Sequence, residues 1–268
     1  MSDFTELKKK HRATWAAGDY DFIARGILPV ADHIVRSVRI RAGERVLDIA
    51  CGTGNTAIAA RARGAAVTGL DLTPELLDVA KRRAAAEGIS EITWTEGDAE
   101  RLPFPDRSFD VVVSSCGLMF APDQARVAAE VARVIRKGGR IGIQAWTHGS
   151  GVGAMFRVTA AYMPPPPGVP SPFDWGDETK VRALLGGSFS ELRFERSDCP
   201  EFTDTPEQLA ELFIDRYGPT NRVHAALPPE KAAAYRRDLV ELYRSYVTPA
   251  DGKVRWGREY IIALGTRG

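Results

Sequence analysis

The chain has 268 residues, 44% of them hydrophobic, with a formal net charge of +1, which suits one large domain with a full core. That balance provides no long-range field to draw nucleic acid or an anionic membrane, and 3 cysteines (Cys51, Cys116, Cys199) are too few for a disulfide framework. A cytoplasmic setting is expected: the N-terminus lacks the apolar stretch of a secretory leader, and no apolar run approaches a membrane span.

Phe4 to Ala17 reads as an amphipathic helix ending near Gly18, and Pro29 to Val38 as a second. The run KKKHR, Lys8 to Arg12, reads as the solvated face of the first. An alternation then begins. Short runs rich in Val and Ile lie at Glu44–Ala50, Ala65–Asp71, Glu91–Glu96, Phe109–Ser115 and Arg140–Trp146. Helical patterns fall between them, most clearly Pro74–Glu87 and Asp123–Arg136, with Gly88 and Gly138 placed as helix ends. Strands alternating with helices predict an α/β fold, a Rossmann-like, mostly parallel sheet with helices on both faces. The pattern breaks at MPPPPGVPSP, Met163 to Pro172, which reads as a stiff surface connector. A helix at Asp177–Leu185, a strand at Glu191–Arg196, helices at Pro206–Tyr217 and Pro229–Tyr246 and a final strand over Val254–Leu264 complete the reading. The expected organisation is a single domain over 1–268: an N-terminal helical segment (1–41), a core (42–150) and a helical insert (203–247) before the last strand.

The core opens on RVLDIACGTGNTAIAA, Arg45 to Ala60. Gly52, Gly54 and Ala57 fit the dinucleotide fingerprint, and Asp71 ends the next apolar run, where an acid holding a ribose belongs. One residue argues against a nicotinamide cofactor. Asp48 precedes the turn and would repel a pyrophosphate, whereas it suits the cationic groups of S-adenosylmethionine. Asp71 can accept both ribose hydroxyls, and Asp98, after the third strand, can accept from the adenine amino group. Leu72 and Ala99 stand beside those acids, placed to sandwich the ring.

Four stretches, VLDIACGTG, VTGLDLTPELLDVAKRRA, EGDAERLPFPDRSFDVVVSS and EVARVIRKGGRIGIQAW, resemble the class I S-adenosylmethionine-dependent methyltransferases. The similarity is greatest to the small-molecule branch of ubiquinone and menaquinone biosynthesis (methyltransferase type 11). It covers about Ala42 to Thr147. The resemblance implies a seven-stranded sheet with an antiparallel last strand. It implies backbone contacts from Ala50, Gly52 and Gly54 to the methionine moiety of S-adenosylmethionine (or of its product, S-adenosylhomocysteine), and side-chain contacts from Asp71 and Asp98 to its adenosine. Ser115, at the end of the fourth strand, joins that set. Tyr20 stands in a GDYD setting similar to one that lies near the cofactor in relatives. Two departures stand out: Ala50 replaces the family's frequent first glycine, and SSCGLMF, Ser114 to Phe120, lacks the histidines that relatives carry there.

Methyl transfer from a sulfonium needs alignment more than acid–base chemistry, so proximity and orientation are expected to do most of the catalysis. Only a hydroxyl acceptor demands a base, for which His148, after the fifth strand, is the weak candidate. Cys116 reads as a packing residue. No paired acids with metal-ligand spacing follow the fifth strand, so no metal is expected. The expected partner is a small, apolar or aromatic acceptor, methylated on carbon, nitrogen or oxygen, with neither nucleic acid nor membrane insertion; oligomeric state is not legible. Three rival readings stand beside this one: a nucleic-acid methyltransferase, a nicotinamide-dependent oxidoreductase and a non-catalytic cofactor-binding protein. The insert is expected to form a lid over the cofactor that selects the acceptor.

Overall fold

The computed structural model describes residues 4–268, so the first three residues of the N-terminal segment lie outside it. Five strands form the parallel body of the sheet: β1 (Arg45–Ile49), β2 (Ala66–Asp71), β3 (Ile92–Glu96), β4 (Phe109–Ser115) and β5 (Ile135–Trp146). After Arg45, β1 is buried at every position, as befits a parallel strand covered on both faces, while β3 at the edge is only partly covered. The later strands β6 (Phe189–Asp198), β7 (Glu201–Thr203), β8 (Val254–Trp256) and β9 (Glu259–Arg267) finish the architecture. The seven-stranded order is β3-β2-β1-β4-β5-β9-β6, with β9 antiparallel to both its neighbours. This is a Rossmann-like, mostly parallel sheet with helices on both faces and the antiparallel strand that the resemblance implies.

Helices α1 (Thr5–Trp15), α2 (Tyr20–Arg25) and α3 (Leu28–Ser37) precede the sheet; α4 (Asn55–Arg61), α5 (Pro74–Ala86) and α6 (Gln124–Val134) alternate with its strands. After β5 come α7 (Gly151–Tyr162) and α8 (Glu178–Leu185), then α9 (Pro206–Arg216), α10 (Gly218–Ala226) and α11 (Pro229–Arg244). Several starts are signed by local chemistry: Asp19 and Asp123 cap α2 and α6, and Thr205 with Gln208 forms a capping box on α9. The Met163–Pro172 run links α7 to the 3-10 turn at Pro172–Gly176.

Two expectations need correcting. The final strand is not continuous over Val254–Leu264: it breaks at Gly257 and Arg258, so β8 leaves the main sheet and pairs with β7 in a separate ribbon. Arg258 is 2% exposed and ties the break to its surroundings, donating to the carbonyls of Cys199 (2.6 Å) and Gly26 (3.0 Å) and pairing with Glu201 (3.0 Å). The sequence reading also passed over α2, α7 and α10. The first is only 6 residues long and α7 opens on Gly151 and Gly153, so neither shows a clean 3.6-residue stripe.

Candidate functional site

The parallel strands end at a cleft of about 710 Å³. Its floor is the turn after β1, where Ala50, Gly52 and Gly54 all take positive φ (54°, 54° and 89°). Ala50 thus holds the left-handed conformation that costs an ordinary L-residue about 1–2 kcal/mol, so the missing glycine is replaced by strain rather than by a different turn. At Gly54 a Cβ would sit 2.9 Å from the Trp94 ring, which leaves no room for a side chain. Arg83 braces the turn from α5, donating to the Thr53 carbonyl (3.0 Å) and to Asn55 Oδ1 (2.7 Å), and Asn55 in turn donates to the Ala24 carbonyl of α2. The sequence reading missed Arg83; its place on α5 offers no motif, and only the fold brings it under the turn.

The acids are placed differently from one another. Asp48 is 1% exposed, and neither carboxylate oxygen has a hydrogen-bond partner. Burial pushes its pKa well up; the Ala57 N–H pulls the other way but lies outside hydrogen-bonding geometry. Asp48 lines a deep extension of the cleft, of about 310 Å³, together with Tyr20, Gly52 and Ser115. Asp71 is buried too, but each of its oxygens accepts a backbone N–H: Gly52 at 2.8 Å and Thr73 at 2.8 Å. Burial again raises its pKa, against those two donors. Asp98 is half-buried at the far end, accepting the Glu100 N–H (2.9 Å) and pairing with Lys8 (2.7 Å). Leu72 and Ala99 line the cleft between these acids.

Lys8 is a correction to the reading of KKKHR as a solvated face. It bridges Asp98 and Glu100, and His11 and Trp15 line the cleft beside it. Their spacing of three and four residues puts all three on one face of α1, a signal that was present but read only as charge. His11 is half-buried with its pKa lowered by burial. Tyr20 lies over the turn, 3.2 Å from where a Gly52 Cβ would stand.

At its inner end the cleft meets aromatic rings from four parts of the chain. Trp15 packs edge-on against Tyr20 (5.5 Å), Phe120 (4.9 Å) and Tyr217 (5.7 Å). Behind them a smaller chamber of about 390 Å³ is walled by Met155, Phe213, Tyr217 and Trp256. The insert therefore reaches the carboxyl ends of the strands, and its link to the N-terminal segment is direct: Asp19 N–H donates to the Arg216 carbonyl at 2.9 Å. Cys116 faces both cleft and chamber. Burial pushes its thiol up to about 12, and the Sγ donates to Gln144 Oε1 (2.9 Å), which leaves it no nucleophile. His148 is not brought to the cleft. Its side chain is 54% exposed, stands 3.5 Å from Asp174, and lines a separate outer groove. Among the described residues, no group of three or more His, Cys, Asp or Glu could hold a metal, and no helix is long and apolar enough to cross a membrane.

Comparison with known proteins bears on family and fold. The model of the methyltransferase domain family matches residues 47–143. An uncharacterized protein of Mycobacterium tuberculosis is 40% identical over 257 residues, covering 94% of this chain and 92% of that one. A demethylmenaquinone methyltransferase of Deinococcus radiodurans is 34% identical over 172 residues, 63% of this chain and 65% of that enzyme. Among solved structures, the YcgJ protein of Bacillus subtilis superposes with a TM-score of 0.60 at 20% identity, over 88% of this chain and 97% of that one.

Proposed function

The chain belongs to the class I S-adenosylmethionine-dependent methyltransferases, and from that premise we propose that it methylates a small apolar or aromatic acceptor. The observation that carries this reading is Asp48: a buried, unpartnered carboxylate beside the glycine turn is costly unless a cation meets it. A pyrophosphate would make that cost worse, while an amino-acid ammonium relieves it. The site residues fit the remaining parts of S-adenosylmethionine. Asp71 and Leu72 would hold the ribose, Asp98 and Ala99 the adenine, and Ala50, Gly52, Gly54, Tyr20 and Ser115 the methionine end. Bound there, the cofactor supplies a methyl group already activated by a sulfonium.

What the chain adds is placement and dryness. Trp15, Tyr20, Phe120 and Tyr217 exclude water at the inner end of the cleft and offer ring faces to positive charge. Catalysis then rests on holding two reactants in line, an effect able to supply about 7–11 kcal/mol. Calorimetry tests the premise: S-adenosylmethionine and S-adenosylhomocysteine bind, and NAD and NADP do not. Comparable nicotinamide binding would overturn the assignment.

A further inference from the structure

Outside the cleft runs a second, open groove of about 1590 Å³ between α1, α7, α10 and the proline-rich connector. It adjoins the cofactor cleft: His11, Phe120, Ala121 and Pro122 line both. Its walls are mostly apolar: Met119, Phe156, Phe173, Val223 and a file of prolines. An apolar groove open to water beside the cleft offers room for the hydrophobic skeleton of a small ligand. The charged side chains that line it, Arg157 and Arg222, are both cationic, and no carboxylate lines it; Asp174 stands behind His148.

The two arginines reach the groove from neighbouring helices, Arg157 from α7 and Arg222 from α10. Arg157 donates to the His148 carbonyl (2.7 Å) and Arg222 to the Ala13 carbonyl (3.2 Å), and neither has an ion-pair partner among the described residues. Each guanidinium thus keeps donors free toward the groove. Resting on the cofactor reading above, we propose that the acceptor is an apolar acid: a hydrophobic skeleton lying in this groove, its carboxylate or phosphate between Arg157 and Arg222, its nucleophilic end passing His11 and Phe120 into the cleft. Apolar burial supplies affinity and the arginine pair supplies selection, a division of labour common in small-molecule sites.

The test uses the full chain saturated with S-adenosylhomocysteine, titrated calorimetrically with 2-naphthoate, 2-naphthyl phosphate and neutral 2-naphthamide. At least one acid binds tenfold or more tighter than the amide; whichever acid leads identifies the anionic group. In the Arg157→Gln/Arg222→Gln variant that preference disappears, while the Kd for S-adenosylhomocysteine stays within twofold. Equal binding of acid and amide, no binding of any of the three, or a preference that survives in the variant would each overturn the proposal. The preceding titration with S-adenosylhomocysteine judges the cofactor reading separately, and its failure would overturn both.

Discussion

A carboxylate buried without a donor destabilises the fold around it, and Asp48 makes that cost measurable. Its pKa lies well above the ordinary 3.8, so the folded chain keeps a proton that the unfolded chain has released. The stabilising contribution is fully present below about 3.8 and is lost as pH rises through the folded value. Asp48→Asn removes the titration. Thermal melts from acid to neutral pH should show the parent losing ground to the variant as pH rises; a constant difference would mean that Asp48 carries no such strain. The same variant should bind S-adenosylhomocysteine about tenfold to a hundredfold more weakly, as expected for one charged hydrogen bond. Asp71 behaves differently because it holds the Gly52 and Thr73 amides. Asp71→Ala should lower cofactor affinity and also melt earlier, by about 1–3 kcal/mol for each amide left unpaired. Loss of affinity with an unchanged melting curve would show those amides to be satisfied otherwise. Of these contrasts the sequence carried only half. It marked Asp48, Asp71 and Asp98 at successive strand ends, but which acid is paired depends on backbone donors that no motif displays.

Helix α1 has no buried residue, so it is not held by an apolar face as most surface helices are. It is held by ions along an acidic rim, Lys8 to Asp98 and Glu100, and Arg12 to Glu96 (2.9 Å), with Trp15 as its single aromatic anchor. Such pairs are worth at most about 1 kcal/mol each and are screened by salt. Lys8→Met should therefore speed release of S-adenosylhomocysteine by about twofold to fivefold in stopped-flow displacement, and added salt should do the same to the parent. A release rate indifferent to both changes would show that α1 does not cover the cofactor. Helix periodicity foretold that α1 exists. It did not foretell which face turns inward, because a lysine contributes to a cleft only when acids from distant strands stand opposite it.

Across the whole molecule, the parallel body was legible because buried strands read as apolar runs and their helices carry caps and prolines. The ribbon was not: Val254–Trp256 and Glu259–Arg267 have the same β-rich composition, and only the buried Arg258 between them separates their fates. That guanidinium joins the end of α2, the β6–β7 link and the β8–β9 break, three regions far apart in sequence. Arg258→Ala strands Glu201 and two carbonyls, and should lower stability by about 3 kcal/mol in denaturant unfolding. A loss near zero would mean that the three regions are held together by the surrounding rings alone.

The position of β9 also orders events during synthesis. It lies between β5 and β6, yet the ribosome makes it roughly 60 residues after β6. At about 5–20 residues per second, β6 waits about 3–12 s with neither edge paired. Throughout that interval the open side of β5 is a template for any extended segment that reaches it first. The nascent chain can build its glycine turn early, but it cannot close its sheet until β9 has been made.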